Sequence, residues 1–292
     1  VQSKMSKTIA VIRTLTPTHV GTGQAVGLID QPIARSTATG WPILPAQGLK
    51  GVLKSEPLRE AYRKHLASEQ DEKDAVKKAE LELADIFGHP EKGLGSLRIA
   101  EAQLVLFPVR SGFGTYALVT CPLALQHLAT LAELAEIDFE APTVPAGQNG
   151  PNGALPVWVC QGTALVGGKL VVLDEYDLHP QDDRSLADGL AAKLAELLSL
   201  DEGDLRKRLA IVSDDLFTHL VRFCTEVRTT TALEVATKKV KDGTLRTAEF
   251  LPPYAVFAAY AEVPDEWMDN DKVVQLGANE STGAGIARIH WS

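Results

Sequence analysis

Cysteine is scarce in this chain. Three stand among 292 residues, at 121, 160 and 224, odd in number, far apart and never as Cys-x-x-Cys. That excludes a disulfide framework and a zinc knuckle, and it fits a reducing cytoplasm. The seven histidines are as scattered, and none stands at metal-site spacing from a second ligand. Long hydrophobic runs are missing too: every apolar stretch is cut by Pro, Gly or charge well short of the ~18 residues a membrane span needs. No secretory signal opens the chain and no internal repeat is visible. Residues 1–4 precede Met5 and read as an expression scar.

What is present is an ordinary globular composition, 45% hydrophobic, long enough for one large domain or two small ones. The formal charge of −9 argues against nucleic-acid binding over the whole surface, but it hides an asymmetry. Residues 1–65 hold nine Lys/Arg (4, 7, 13, 35, 50, 54, 59, 63, 64) against three acids (30, 56, 60), net +6. Residues 171–215 hold twelve acids against five bases, net −7. A local phosphate-binding surface is compatible with that pattern, with another face left to solvent or to a basic partner.

Along the chain, residues 8–15 are β-branched and alternate, which predicts a strand feeding a loop at Pro17. Gly21, Gly23 and Gly27 then allow backbone N–H groups to approach a ligand closely. Pro42 and Pro45 hold residues 41–45 extended, and a helix opens at Ala46 with Lys50 and Lys54 on one face. Pro57 interrupts that pattern before 58–66 resumes it, and 68–87 predicts a charged surface helix stopped by Gly88. Period-two runs on either side of a turn at 111–114 predict two antiparallel strands, and Pro122 opens a helix to about Leu134. Residues 141–152 form a loop. Strands near 157–160 and 169–177 and a Leu/Ala-rich helix over 185–200 follow. Residues 217–230 alternate toward a strand that leads into a Thr/Lys-rich hairpin turning at Asp242-Gly243. Strands at 254–263, 272–276 and 286–291 close the chain, with a second glycine loop at 277–285.

The first glycine turn suggests a dinucleotide loop only weakly. Gly21-x-Gly23-x-x-x-Gly27 is one residue too long for the fingerprint, and no acid stands at the required distance beyond it.

Several motifs stand together in order: the glycine turn, G-L-I-D-Q-P-I at 27–33, W-P-I-L-P-A-Q-G-L-K-G at 41–51, Leu-Phe-Pro-Val at 106–109 before Val-Thr-Cys-Pro at 119–122, the Thr/Lys hairpin before L-P-P-Y at 251–254, and L-G-A-N-E-S-T-G-A-G-I-A-R-I-H-W at 276–291. In this order, over about 8–291, the chain resembles the RAMP superfamily, and within it the backbone subunits of type III-B CRISPR (Cmr) effectors. The resemblance implies an α+β fold: one RAMP domain over 5–292, with a ferredoxin-like RRM palm built from the N- and C-terminal parts. It implies helical insertions at about 55–92 and 141–215 and a protruding thumb β-hairpin at about 228–250. It further implies copies stacked helically along a CRISPR guide RNA in the prokaryotic cytoplasm, beside other Cmr subunits, with each thumb wedged into the guide–target RNA duplex. No aromatic-rich RNP motif is present, so recognition through backbone shape fits better than base stacking on the sheet.

In such proteins an aspartate at the position of Asp30 cuts the target RNA with Mg²⁺ or another divalent cation. A carboxylate serves that chemistry as base or as hard oxygen ligand; the plainer role for Asp30 is a turn residue before Gln31-Pro32. His19 either supports the reaction by holding a proton or caps the turn, and Glu249 is a weaker support that an exposed hairpin would leave solvated. Gln47, Lys50, Lys54, Arg35, Asn279, Ser281 and Thr282 are the guide-binding candidates, the alternatives being a solvated basic face and a simple turn. Thr237, Lys238 and Lys239 are candidates for duplex contact, or else lie on a solvated arm. The function expected is an endoribonuclease subunit; the alternative is a non-catalytic structural backbone.

Overall fold

The first strand, Met5–Thr14, shows why the middle of the molecule is a sheet buried on both faces. Ile9 and Val11 pack into one hydrophobic core while Ala10 and Ile12 pack into another, so the strand is an apolar run and not an alternation. The computed structural model describes residues 4–23, 29–67, 71–269 and 271–292. Within these, Met5–Thr14 lies between Ile286–Trp291 and Val256–Pro264, and Ala102–Arg110 pairs with the far side of Val256–Pro264, every neighbour antiparallel. On one side Leu49 and Leu53 of the helix Ala46–Leu66 join Trp41, Phe107 and Phe257. On the other, Leu125 and Leu128 of the helix Pro122–Leu134 meet Leu190 and Leu194 of Ser185–Leu197. Val256–Pro264 and Ala102–Arg110 are covered on both faces over most of their length, whereas Ile286–Trp291 buries one face only and leaves Arg288 exposed on the other.

The sheet continues from Ala102–Arg110 through Tyr116–Thr120, Leu209–Ile211, Leu155–Val159, Tyr176–Pro180, Leu170–Leu173 and Val166–Gly167, with parallel pairings where Leu209–Ile211 meets Tyr116–Thr120 and where Leu155–Val159 meets Tyr176–Pro180. The fold is therefore α+β, with one large mixed sheet. A separate two-stranded ribbon, Glu226–Thr230 with Arg246–Phe250, stands outside it. No helix among the described residues is long and apolar enough to cross a membrane.

Several expectations change. Residues 217–230 are not one strand: Asp214–Phe223 is a helix, and only Glu226–Thr230 is extended. The capping signal decides it, because the Ser213 hydroxyl accepts from the Leu216 amide, Asp214 and Asp215 fill the first turn, and Leu216, Phe217, Leu220 and Val221 share the buried face. Pro57 does not break Ala46–Leu66, since burial of Leu49, Leu53 and Ala61 outweighs the one backbone bond it removes. The surface helix narrows to Glu72–Glu82, capped by Asp71, plus a short turn at Ala84–Phe87; Ser68 lies outside the described residues. The stretch 169–177 splits into two strands at Asp174, where φ is 53°. The helix Glu202–Arg208 and the strand Leu209–Ile211 go beyond the sequence reading, although Asp201 caps the helix, acids fill its first turn and bases its last.

Asp242-Gly243 is not the tip of the arm. The chain reverses at 234–239, where the Glu234 amide donates to the Lys239 carbonyl and the Lys238 amide to the Glu234 carbonyl, both at 2.9 Å. Thr237 closes this turn through its hydroxyl to Glu234 Oε2 at 2.7 Å, and Lys238, at φ 55°, takes the left-handed conformation that glycine would otherwise fill. Asp242-Gly243 instead makes a local turn on the returning side, closed by the Thr244 amide on the Lys241 carbonyl.

Candidate active site and nucleic-acid interface

The loop leaving Met5–Thr14 is laid along the outer edge of the ribbon strand Arg246–Phe250. Thr18 exchanges two backbone bonds with Leu251, at 2.9 and 2.8 Å. Past residues 24–28, which include the predicted Gly27 and lie outside the described residues, the chain returns to the same strand. There the Gln31 amide donates to the Thr247 carbonyl at 3.0 Å and the Glu249 amide to the Gln31 carbonyl at 2.9 Å. The two predicted glycine loops also meet. The Ala278 amide donates to the His19 carbonyl at 2.9 Å, and a Cβ on Gly277, where φ is +74°, would sit 2.0 Å from that oxygen.

Asp30 is exposed on this frame and held by one residue. Its Oδ2 accepts from the Thr247 amide at 2.8 Å and the Thr247 hydroxyl at 3.0 Å, and its own amide lies 3.0 Å from that hydroxyl oxygen. These bonds, the backbone one first, hold the Asp30 carboxyl below its usual range, with a smaller contribution from Arg246. Asp30 is thus an anion throughout neutral pH, a weak base and a good ligand. Among the described residues nothing hydrogen-bonds Oδ1.

His19 is buried, its ring tilted over Phe250 at 5.5 Å. Nδ1 lies 2.7 Å from the Glu249 carbonyl, and a carbonyl only accepts, so Nδ1 carries the hydrogen. Nε2 then faces Gly21, where an added Cβ would come within 2.7 Å of it.

Glu249 and Arg35 differ from expectation. Glu249 is 3% exposed. Its Oε1 accepts from the Arg35 guanidinium and, at 2.7 Å, from the Thr225 hydroxyl, while Oε2 accepts from the Ile33 amide at 3.1 Å. Arg35 donates in addition to the carbonyls of Gly40 and Val221. Glu249 is thus not a solvated group of an exposed hairpin: it is buried and paired with the partly exposed Arg35 under the loop that carries Asp30.

At the start of Ala46–Leu66, Pro45 supplies no side-chain cap and no acid stands in the first turn, which leaves the first amides and the positive end of the helix to an anion. Gln47 is exposed there and shares a groove of about 510 Å³ with Gly277 and Glu280, next to the exposed Asn279, Ser281 and Thr282. Lys50 lines a different hollow, of about 430 Å³, with Phe87, His89 and Leu94. Lys54 is half-buried one turn further on. Thr237, Lys238 and Lys239 are exposed at the reversal of the arm.

Thr247 and Thr225 were missed by sequence reasoning. Thr247 is 217 positions from Asp30, and only the register of the ribbon brings it there.

No group of three or more His, Cys, Asp or Glu side chains is gathered to hold a metal among the described residues. Asp30 offers an anionic oxygen, Oδ1, that no described residue hydrogen-bonds. That suits Mg²⁺, which keeps several waters and takes one or two carboxylates plus substrate phosphates.

The sheet, the arm and the paired glycine loops define a class of protein, and the family model that matches residues 11–288 is that of the RAMP superfamily. A curated relative, the CRISPR system Cmr endoribonuclease Cmr4 of Pyrococcus furiosus, is 30% identical over 295 residues, spanning 94% of this chain and 92% of that protein. The crystal structure of oligomeric Cmr4 from the same organism superposes with a TM-score of 0.69 at 26% identity, covering 99% of this chain and 98% of that one. A chain in a cryo-EM structure of the type III-B Cmr-β complex bound to cognate target RNA shares the fold, with a TM-score of 0.72 at 18% identity over 100% of this chain and 98% of that one. The chain belongs to the RAMP superfamily and, within it, to the Cmr4 subunits of type III-B CRISPR effectors.

Proposed function

We propose that this protein is the guide-RNA-binding backbone subunit of a type III-B effector, stacked in copies beside other Cmr subunits in the prokaryotic cytoplasm, and that it cuts the paired target RNA at Asp30. The carrying observation is the exposed, ionised Asp30 carboxylate tied to the strand that returns from the arm. In the reaction the 2′-oxygen of the target attacks the adjacent phosphorus, the P–O5′ bond breaks, the 2′-hydroxyl loses its proton and the leaving 5′-oxygen gains one. A divalent cation held by Asp30, by phosphate and by water would neutralise the charge that develops on the phosphate. Asp30 is the catalytic residue. His19 supports it by fixing the turn at Gly21, and Glu249 by holding the loop at Ile33.

The four antiparallel central strands serve as the palm of this reading, and the ribbon with its arm serves as the thumb. Leu233, Val235, Val240 and Leu245 are exposed along the arm beside Lys238 and Lys239, a surface suited to entering a stacked duplex with its phosphates close by. The uncapped helix start, Gln47, Lys50, Lys54 and the 279–282 loop take the guide backbone.

The test is the assembled effector with a guide-matched RNA: cleavage should proceed in Mg²⁺ and stop on adding EDTA. A complex that binds the target and never cuts it would leave a structural backbone instead. For the guide, Lys50→Ala with Lys54→Ala should weaken binding about equally across guide sequences. It should also flatten the slope of log affinity against log salt by about 0.7 for each phosphate that is no longer neutralised. An unchanged slope would remove these lysines from the guide.

A further inference from the structure

Thr247 meets Asp30 at three points, and the three do different work. The Thr247 amide on Oδ2, together with the Gln31 amide on the Thr247 carbonyl, tethers the loop to the strand through backbone groups of Thr247 alone. The hydroxyl is not needed for that. It lies 3.0 Å from Oδ2 and 3.0 Å from the Asp30 amide, and only one arrangement satisfies both: the hydroxyl donates its proton to the carboxylate and accepts from the amide. An exposed Asp otherwise samples several rotamers. Held by two donors at Oδ2, it keeps one, and Oδ1 is the oxygen that no described residue hydrogen-bonds. Thr247 is itself fixed, because its strand is paired residue for residue with Glu226–Thr230, where Thr229 stands opposite it.

We infer that Thr247 is a positioning residue of the cleavage site, its hydroxyl locking the Asp30 carboxylate in one rotamer so that Oδ1 meets the RNA. This rests on the reading of Asp30 as catalytic. No assignment based on the Asp30 loop alone reaches Thr247, and the role needs a hydroxyl: Ser can fill it, Val cannot.

The experiment uses assembled effector carrying Thr247→Val, Thr247→Ser, Asp30→Asn or wild-type subunits. Single-turnover cleavage of guide-matched RNA is followed at one neutral pH, with target binding measured alongside. Thr247→Val should cut at least about tenfold more slowly, in line with loss of a hydrogen bond to a charged group, with binding unchanged. Thr247→Ser should stay within about threefold of wild type. A wild-type rate for Thr247→Val beside an inactive Asp30→Asn overturns this inference and leaves Asp30 in place. A wild-type rate for Asp30→Asn overturns the reading beneath it. Equal losses in the Val and Ser variants, or a loss that lies in target binding, would make Thr247 a merely structural residue and overturn the inference as well.

Discussion

Asp30→Asn is expected to slow cleavage of guide-paired RNA by about a hundredfold or more, the usual scale for losing a positioned acid–base or ligand group, while the complex still assembles and binds its target. The hydrogen bonds around Asp30 make this substitution clean. An asparagine carbonyl can still accept from the Thr247 amide and hydroxyl, so the loop keeps its attachment to the ribbon strand. Asn and Asp also favour the same turn positions. What disappears is the negative charge at Oδ1. The lowered pKa of Asp30 favours ligation over proton transfer, because a base works best with a pKa near the working pH. Raising Mg²⁺ should therefore restore part of the rate. Cleavage by Asp30→Asn complexes within about threefold of wild type, at matched binding, would remove Asp30 from the chemistry and leave a structural backbone.

Glu249→Ala should be the most damaging single change to the fold near the site, costing about 3–5 kcal/mol, the range for breaking one side of a buried ion pair. Its carboxylate is the joint acceptor for Arg35, Thr225 and the Ile33 amide, and its removal strands a half-buried guanidinium and a buried amide together. The check is a double-mutant cycle of Glu249→Ala and Arg35→Ala in chemical denaturation. The double variant should lose clearly less than the two single losses added, since each single change already abolishes the pair. Strict additivity, or a Glu249→Ala subunit within about 1 kcal/mol of wild type, would show that the pair does not hold the loop. Because both residues lie beneath Asp30, these variants should lose cleavage together with stability, whereas Asp30→Asn should lose cleavage alone.

Local signals carried the elements whose cause is local. Pro at the first position with an apolar repeat behind it marked Pro122–Leu134, and an alternating run after a glycine loop marked Ile286–Trp291. Where two periods overlap, the sequence misleads. Phe217, His219, Val221 and Phe223 read as every second residue of a strand, while Leu216, Phe217, Leu220 and Val221 are the buried face of a helix. The arm shows the same limit in its turn: Asp242-Gly243 is the stronger hairpin signal, yet the bonds among Glu234, Thr237 and Lys238 place the reversal earlier.

By itself the sequence determined the class of this protein, through an ordered series of motifs, and it singled out Asp30 as the one carboxylate in the basic first 54 residues. The partners of that carboxylate were decided only by tertiary structure. Arg35 read as a guide contact and Glu249 as a weak support of catalysis open to solvent, and folding pairs them with each other. Thr247 looked like one threonine among many in a polar hairpin, and strand register sets its hydroxyl against Asp30. The reason is physical. Periodicity and capping are properties of neighbours in the chain, whereas a hydrogen bond between residues 217 positions apart depends on which strand edge the loop is laid against, and that is settled by the packing of the whole sheet.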